Sequence, residues 1–240
     1  LVRVLEAEKR KFVAEDSSAQ KTTMDKSLGG SPIDGFMLLL KSRYLLMIAL
    51  FLLLMTWIST VIYFQLGDLI SHAFTSKEDR TQAYATIDLA VNSAAVLMQL
   101  FGTGRFLHRF GVTTGLLLNP VIMVFAFLAV AFSPVLVVLG GIQVVRRVAE
   151  YSVAKPSRDM LFTAVDQQAK YKAKNVIDNV VFRGSDALFG WLFTALRGLG
   201  MEAGAISLAT VPLTAAWLAL ALALGRMQEK RSPAAADDKS

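Results

Sequence analysis

Long apolar runs alternate with short charged stretches through most of this chain, and the length of the runs decides what surrounds them. A helix needs about 20 largely apolar residues to cross roughly 30 Å of hydrocarbon. Six segments fit that measure: residues 44–64, 84–106, 111–131, 133–154, 175–196 and 203–225. The first, YLLMIALFLLLMTWISTVIYF, is the clearest, the second is more mixed, and the fifth is the most polar. Ser133 and Pro134 leave only a very short turn between the third and fourth. Pro120, Pro212 and the internal glycines are tolerable where neighbouring helices shield disturbed backbone. The pattern predicts an all-α, polytopic membrane protein. A six-helix domain is expected over 41–226, after a partly disordered cytoplasmic linker at 1–40 with a helix over 1–14, and before a polar tail at 227–240.

Lysine and arginine orient these spans. One side carries Lys41 and Arg43, then Arg105 and Arg109, then Lys155, Arg158, Lys170, Lys172 and Lys174, then Arg226, Lys230 and Arg231. On the other side Lys77 and Arg80 are offset by Asp68, Glu78 and Asp79, and Arg197 lies beside Glu202. The bias repeats at every junction and predicts both termini in the cytoplasm, in a bacterial inner membrane, with an even number of spans. Charged residues make up 18% of the chain, below the roughly 25% of soluble domains. The net charge of +6 gathers at the ends of apolar segments and forms no broad face for a nucleic acid, so none is expected as a partner. With no cysteine, disulfides and thiolate chemistry are excluded. The opening stretch is polar and charged, unlike a signal peptide. A first residue of Leu leads us to expect a piece of a longer chain.

Polar groups inside a bilayer are costly and become functional candidates by default. Asp88, Asn92 and Gln99 share one side of the second segment. In the fourth, Gln143, Arg147 and Glu150 form a stripe, and Glu150 is in reach of Arg146 at a spacing of four. In the fifth, Asn179, Arg183 and Asp186 share a face while Asp178 points partly away. One reading is a polar cavity whose arginines bind an anionic substrate and pair with carboxylates when it is empty, since the guanidinium fork suits phosphate. The other is a set of internal ion pairs, or side chains snorkelling to the interface. Arg183 is expected to be buried and Lys77 to lie outside. The RFLHRFG stretch, residues 105–111, reads as a tight basic turn whose Arg105 and Arg109 either control cytoplasmic closure or only fix topology. In the connection after the fourth segment, Pro156 is placed to start a short helix seated at the interface by Met160, Leu161 and Phe162. Enzyme signatures such as HExxH, GxSxG or a phosphate loop ending in GKS are missing, and no metal or cofactor is expected.

PSRDMLFTAVDQQAKYKAKNVID and VVFRGSD, within residues 146–196, combine charged and aromatic residues in an unusual order. This stretch resembles the ATP:ADP antiporter family. The resemblance implies a major-facilitator-type fold of two six-helix halves, of which this chain would be the second. It implies nucleotide exchange without hydrolysis, or transport of a related organic anion. It also makes Lys155, Arg158, Lys170, Lys172 and Lys174 the family's basic cytoplasmic segment, and Asp178, Arg183 and Asp186 its polar positions on the next helix. A missing first half, or a second copy, would complete the cavity. Two alternatives remain open: a facilitator for another solute, coupled to protons through Asp178, Glu150 or Asp186, and a non-transporting membrane partner subunit.

Overall fold

The structure, a computed structural model, describes residues 32–133, 135–165 and 167–231, the side chains of 32–35 and 167–171 excepted. The helix expected over 1–14, Pro134 and the tail beyond 231 lie outside the described residues. The described chain is helical almost throughout: α1 Pro32–Lys41, α2 Arg43–Ala73, α3 Lys77–Phe101, α4 Thr103–Phe132, α5 Leu136–Ala149, α6 Lys155–Leu161, α7 Gln167–Val176, α8 Arg183–Gly198 and α9 Ala203–Arg231. A π-helical segment, Glu150–Ala154, joins α5 to α6, and a second, Ile177–Phe182, joins α7 to α8. The residues flanking both segments keep right-handed helical dihedrals, so each junction continues one rod. Four helices, α2, α3, α4 and α9, are long and apolar enough to cross a membrane. The protein is an integral, multi-pass membrane protein.

Helix α2 is apolar on every side, and such a helix is stable only when surrounded. It accordingly runs through the centre of the bundle, with Ile48, Val61 and Ile62 fully buried. Trp57 meets Phe189 edge-on at 5.5 Å and Phe64 stacks on Phe193 at 5.1 Å, which holds α8 against it. Phe51 meets Trp217 of α9 at 5.4 Å. A polar clamp adds to this contact: Gln65 donates to the Ala203 carbonyl at 3.0 Å and to Ser207 Oγ at 3.1 Å. Between helices in lipid, where apolar side chains gain little by leaving the solvent, such polar bonds and close packing supply the attraction. Small residues do the rest. A Cβ on Gly225 of α9 would lie 2.6 Å from Cγ2 of Thr113 on α4, so the α9 backbone packs directly on that side chain.

Several expected boundaries shift. The first helix runs past residue 64 to Ala73, where Ser76 then caps α3 by accepting from the Asp79 amide at 3.0 Å. Residues 105–111 are not a tight turn: 103–110 are helical, and the break comes at Gly111, whose φ of 76° is a conformation glycine adopts without strain. The stretch expected as a linker contains α1, whose Leu39 is buried, and α9 continues to Arg231.

Pro156 does not begin a helix. It sits in the second position of α6 with helical backbone on both sides, and Leu161 and Phe162 are buried in the core instead of resting at an interface. A proline inside a helix donates no hydrogen bond and crowds the carbonyl four residues earlier, here that of Ser152. The π segment is the local answer to that crowding. Thr103 Oγ1 donates to the freed Ser152 carbonyl at 2.7 Å, and Gln99 Nε2 donates to that of Tyr151 at 3.0 Å.

Gly225→Val is expected to lower the melting temperature of the detergent-solubilised protein, at an overpacking cost of about 1–3 kcal/mol. Thr113→Ala in the same chain should recover part of that loss. Equal melting of wild type and Gly225→Val would refute the close α4–α9 approach.

Candidate functional site

The end of α5 and the first residue of the π segment after it carry three charged side chains in five residues, Arg146, Arg147 and Glu150, and the bundle sends each to a different place. The Arg146 guanidinium donates to Ser59 Oγ of α2 at 2.9 Å, and to Gln143 Oε1 through Nη2 at 3.1 Å and Nε at 3.3 Å. All these partners are neutral. None of the four ion pairs among the described residues includes Arg146. Arg147 reaches the other way, forming an ion pair with Asp88 of α3 and donating to the Tyr151 hydroxyl at 3.3 Å.

Glu150 does not pair with Arg146. It accepts from Asn119 Nδ2 of α4 at 2.7 Å and pairs with Arg158 at 3.5 Å. The π segment explains this choice. In an unbroken α-helix, residues eight apart are displaced around the axis, whereas those seven apart return to one stripe. The wider turn over Glu150–Ala154 absorbs one residue, so Arg158 occupies the place of a seventh neighbour. The stripe expected from Gln143, Arg147 and Glu150 therefore divides into three separate attachments.

Arg146 stands on the wall of a cavity of about 700 Å³ between α2 and the α5–α8 side of the bundle. Ser59, Thr60, Tyr63 and Phe64 line it from α2, and Asp186, Trp191 and Thr194 from α8. A smaller cavity of about 480 Å³ shares Tyr63 and Arg146 and is closed by Tyr84, Asp88, Arg147 and Tyr151. Hydroxyls, aromatic faces and the Asp186 carboxylate line the space around a guanidinium that makes no ion pair among the described residues. Such a wall binds anions, because charge-assisted hydrogen bonds to a guanidinium contribute about 1.5–3 kcal/mol each.

Of the other expected residues, Asp186 is in this cavity and Arg183 is not. Arg183 is exposed, contrary to the expectation of burial, and among the described residues it has no ion pair. Asp178 and Asn179 fall in the second π segment, which separates them from Asp186; Asn179 bonds to Asn175 at 2.7 Å. Lys155, Arg158, Lys174 and Asp178 gather around a third cavity of about 260 Å³, where Lys174 also pairs with Asp159 at 2.9 Å and lies over the Phe162 ring. Lys170 and Lys172 are on α7, and the side chain of Lys170 is outside the described residues. Arg105 donates back to the Phe101 carbonyl at 2.7 Å and Arg109 lies over Phe110, both apart from these cavities. Sequence reasoning missed Ser59, Tyr63 and Trp191. The signal for the first two was present as the polar interruption WISTVIY in the most apolar segment.

The model of the TLC ATP/ADP transporter family matches residues 2–227. The chain belongs to that family. It is 24% identical to ADP,ATP carrier protein 1 of Chlamydia trachomatis, over 87% of this chain and 43% of the relative. It is also 24% identical to ADP,ATP carrier protein 2 of the same organism, over 91% and 45%, and 26% identical to ADP,ATP carrier protein 1 of Chlamydia muridarum, over 84% and 41%. The chain thus spans less than half the length of the curated relatives it matches. No solved structure matches it. Among the described residues no group of His, Cys, Asp and Glu is arranged to hold a metal.

Asn119→Ala is expected to destabilise the fold by about 1–3 kcal/mol, because the Glu150 carboxylate loses a buried donor. Thermal unfolding in detergent measures this loss. Adding Glu150→Gln should restore part of it, and a neutral Asn119→Ala would show that the bond contributes nothing.

Proposed function

We propose that this chain is the C-terminal six-helix half of a secondary transporter that exchanges ATP for ADP, or moves a related organic anion, by alternating access. On this reading the rods formed by α5–α6 and α7–α8 are the two spans beyond the four long helices. Interruption by π segments is tolerable there because neighbouring helices satisfy the backbone. Both termini face the cytoplasm, on the side of the repeated lysine and arginine excess. A first six-helix half, or a second copy, faces the Arg146 cavity and supplies its opposite wall. The fold of the whole is then of the major-facilitator type, set in a bacterial inner membrane.

The observation that carries the reading is Arg146, held in place by Ser59 and Gln143 and in no ion pair among the described residues. The printed names of the relatives, ADP,ATP carrier proteins, support a nucleotide as the anion. Asp186, across the cavity and without an ion pair among the described residues, keeps a proton-coupled facilitator for another solute as the second reading.

Counterflow of radiolabelled ATP in proteoliposomes tests it, using the protein with both halves present. Internal ADP should accelerate ATP uptake. Arg146→Ala should cut that exchange about tenfold or more, the loss of roughly one charge-assisted hydrogen bond, and the exposed Arg183→Ala should cut it less. Equal losses in the two variants would remove Arg146 from the binding site, and silence of the folded wild type would reject nucleotide exchange.

A further inference from the structure

Arg146 is the shared wall of two chambers that differ in charge and in surface. The 480 Å³ chamber holds two guanidiniums, Arg146 and Arg147, against one carboxylate, Asp88. The 700 Å³ chamber holds Arg146 against Asp186, and its remaining lining includes the rings of Phe64 and Trp191. The first therefore has an excess of positive charge, and the second is balanced and aromatic. Trp191 is 80% exposed, a large ring face with no side chain packed over it.

We propose that the two chambers divide one nucleotide between them, the terminal phosphates in the Arg146–Arg147 chamber and the nucleoside against Trp191, with Asp88 setting how many phosphates are preferred. The assignment rests on the nucleotide-exchange reading and adds to it a polarity and a specificity determinant. Phosphate oxygens go where two guanidiniums converge, because bidentate donation to an oxyanion is their strongest contact. A nucleobase goes where an open aromatic face offers stacking. Asp186 is placed to accept from the nucleoside's hydroxyl or amino groups.

Asp88 acts by competition. Its carboxylate occupies Arg147, yet it is itself 54% exposed, so the pair is held in a partly solvated setting and is weak. An incoming phosphate can take Arg147 from Asp88, and the repulsion left on Asp88 grows with the charge of the ligand. ATP carries one phosphate more than ADP and bears more of that penalty. Asp88 thereby brings the two affinities closer together, which an exchanger needs if each is to be released for the other.

The test is the ratio of ATP to ADP half-saturation in proteoliposomes of the protein with both halves, for wild type, Asp88→Asn and Arg147→Gln. Asp88→Asn should shift preference toward ATP by roughly threefold or more, the size of a partly exposed ion pair. Arg147→Gln should shift it toward ADP. A misfolded variant loses both substrates together and cannot produce opposite shifts. Trp191→Ala should weaken ATP and ADP alike while leaving inhibition by inorganic tripolyphosphate unchanged. Unaltered ratios in both charge variants, beside a wild type that exchanges ATP and ADP, would overturn the two-chamber assignment and leave nucleotide exchange standing. Weakened tripolyphosphate inhibition in Trp191→Ala would overturn it as well. A folded wild type that exchanges no nucleotide overturns this assignment and the reading beneath it together.

Discussion

A buried backbone carbonyl must find a donor, and Pro156 removes one from Ser152. Without water to take its place, an orphaned buried carbonyl costs about 1–3 kcal/mol. The chain meets the requirement twice over. The π segment Glu150–Ala154 widens the turn ahead of the proline ring, and Gln99 and Thr103, from the end of α3 and the start of α4, donate to the carbonyls of Tyr151 and Ser152. Those two bonds fix the junction of α3 and α4 against the middle of the α5–α6 rod. The wider turn also changes which side chains below it share a face with those above it.

The charge arrangement follows from that change of register. Arg158 comes onto the Glu150 face, and with Asn119 it satisfies a carboxylate that the α-helical spacing would have offered to Arg146. Arg147 is taken by Asp88. Arg146 is left with a serine hydroxyl and a glutamine carbonyl, enough to hold the guanidinium in one orientation but not to neutralise it. Tethered to neutral groups beside an open cavity, the guanidinium is held without the site being closed to an anion.

The pattern of apolar runs was enough to read the all-α class and the multi-pass character, because an uninterrupted run such as residues 44–64 admits few other environments. The family was legible in residues 146–196, where charged and aromatic residues follow an order that hydropathy alone would not produce. What stayed hidden depends on departures from regular helix. A fixed period of 3.6 residues placed Arg183 with Asn179 and Asp186, and Glu150 with Arg146. Asn179 is parted from Arg183 and Asp186 by a π segment, where the period no longer holds, and Glu150 opens the other, whose wider turn brings Arg158 to it. Pro156 was visible as a proline near a helix end, but its effect on register required knowing that helix continued on both sides. Residues 105–111 read as a basic turn, and only the positive φ of Gly111 locates the break.

The ion pairs of the described bundle form a graded series, and the gradation bears on movement. Glu150 and Arg158 are 14% and 16% exposed and are also held by Asn119, so separating them strands charge in a poorly solvated place. Asp88 and Arg147 are more open, and solvent can take over part of each partner when they part. Arg146 has no ionic partner to give up. A ligand entering from the Arg146 side therefore meets the least resistance first, the exchangeable Arg147 next, and the Glu150–Arg158–Asn119 set last. On the exchange reading proposed above, the deepest pair suits a structural role, and Arg146 and Arg147, with less charge to give up, suit a substrate that arrives and leaves with each cycle.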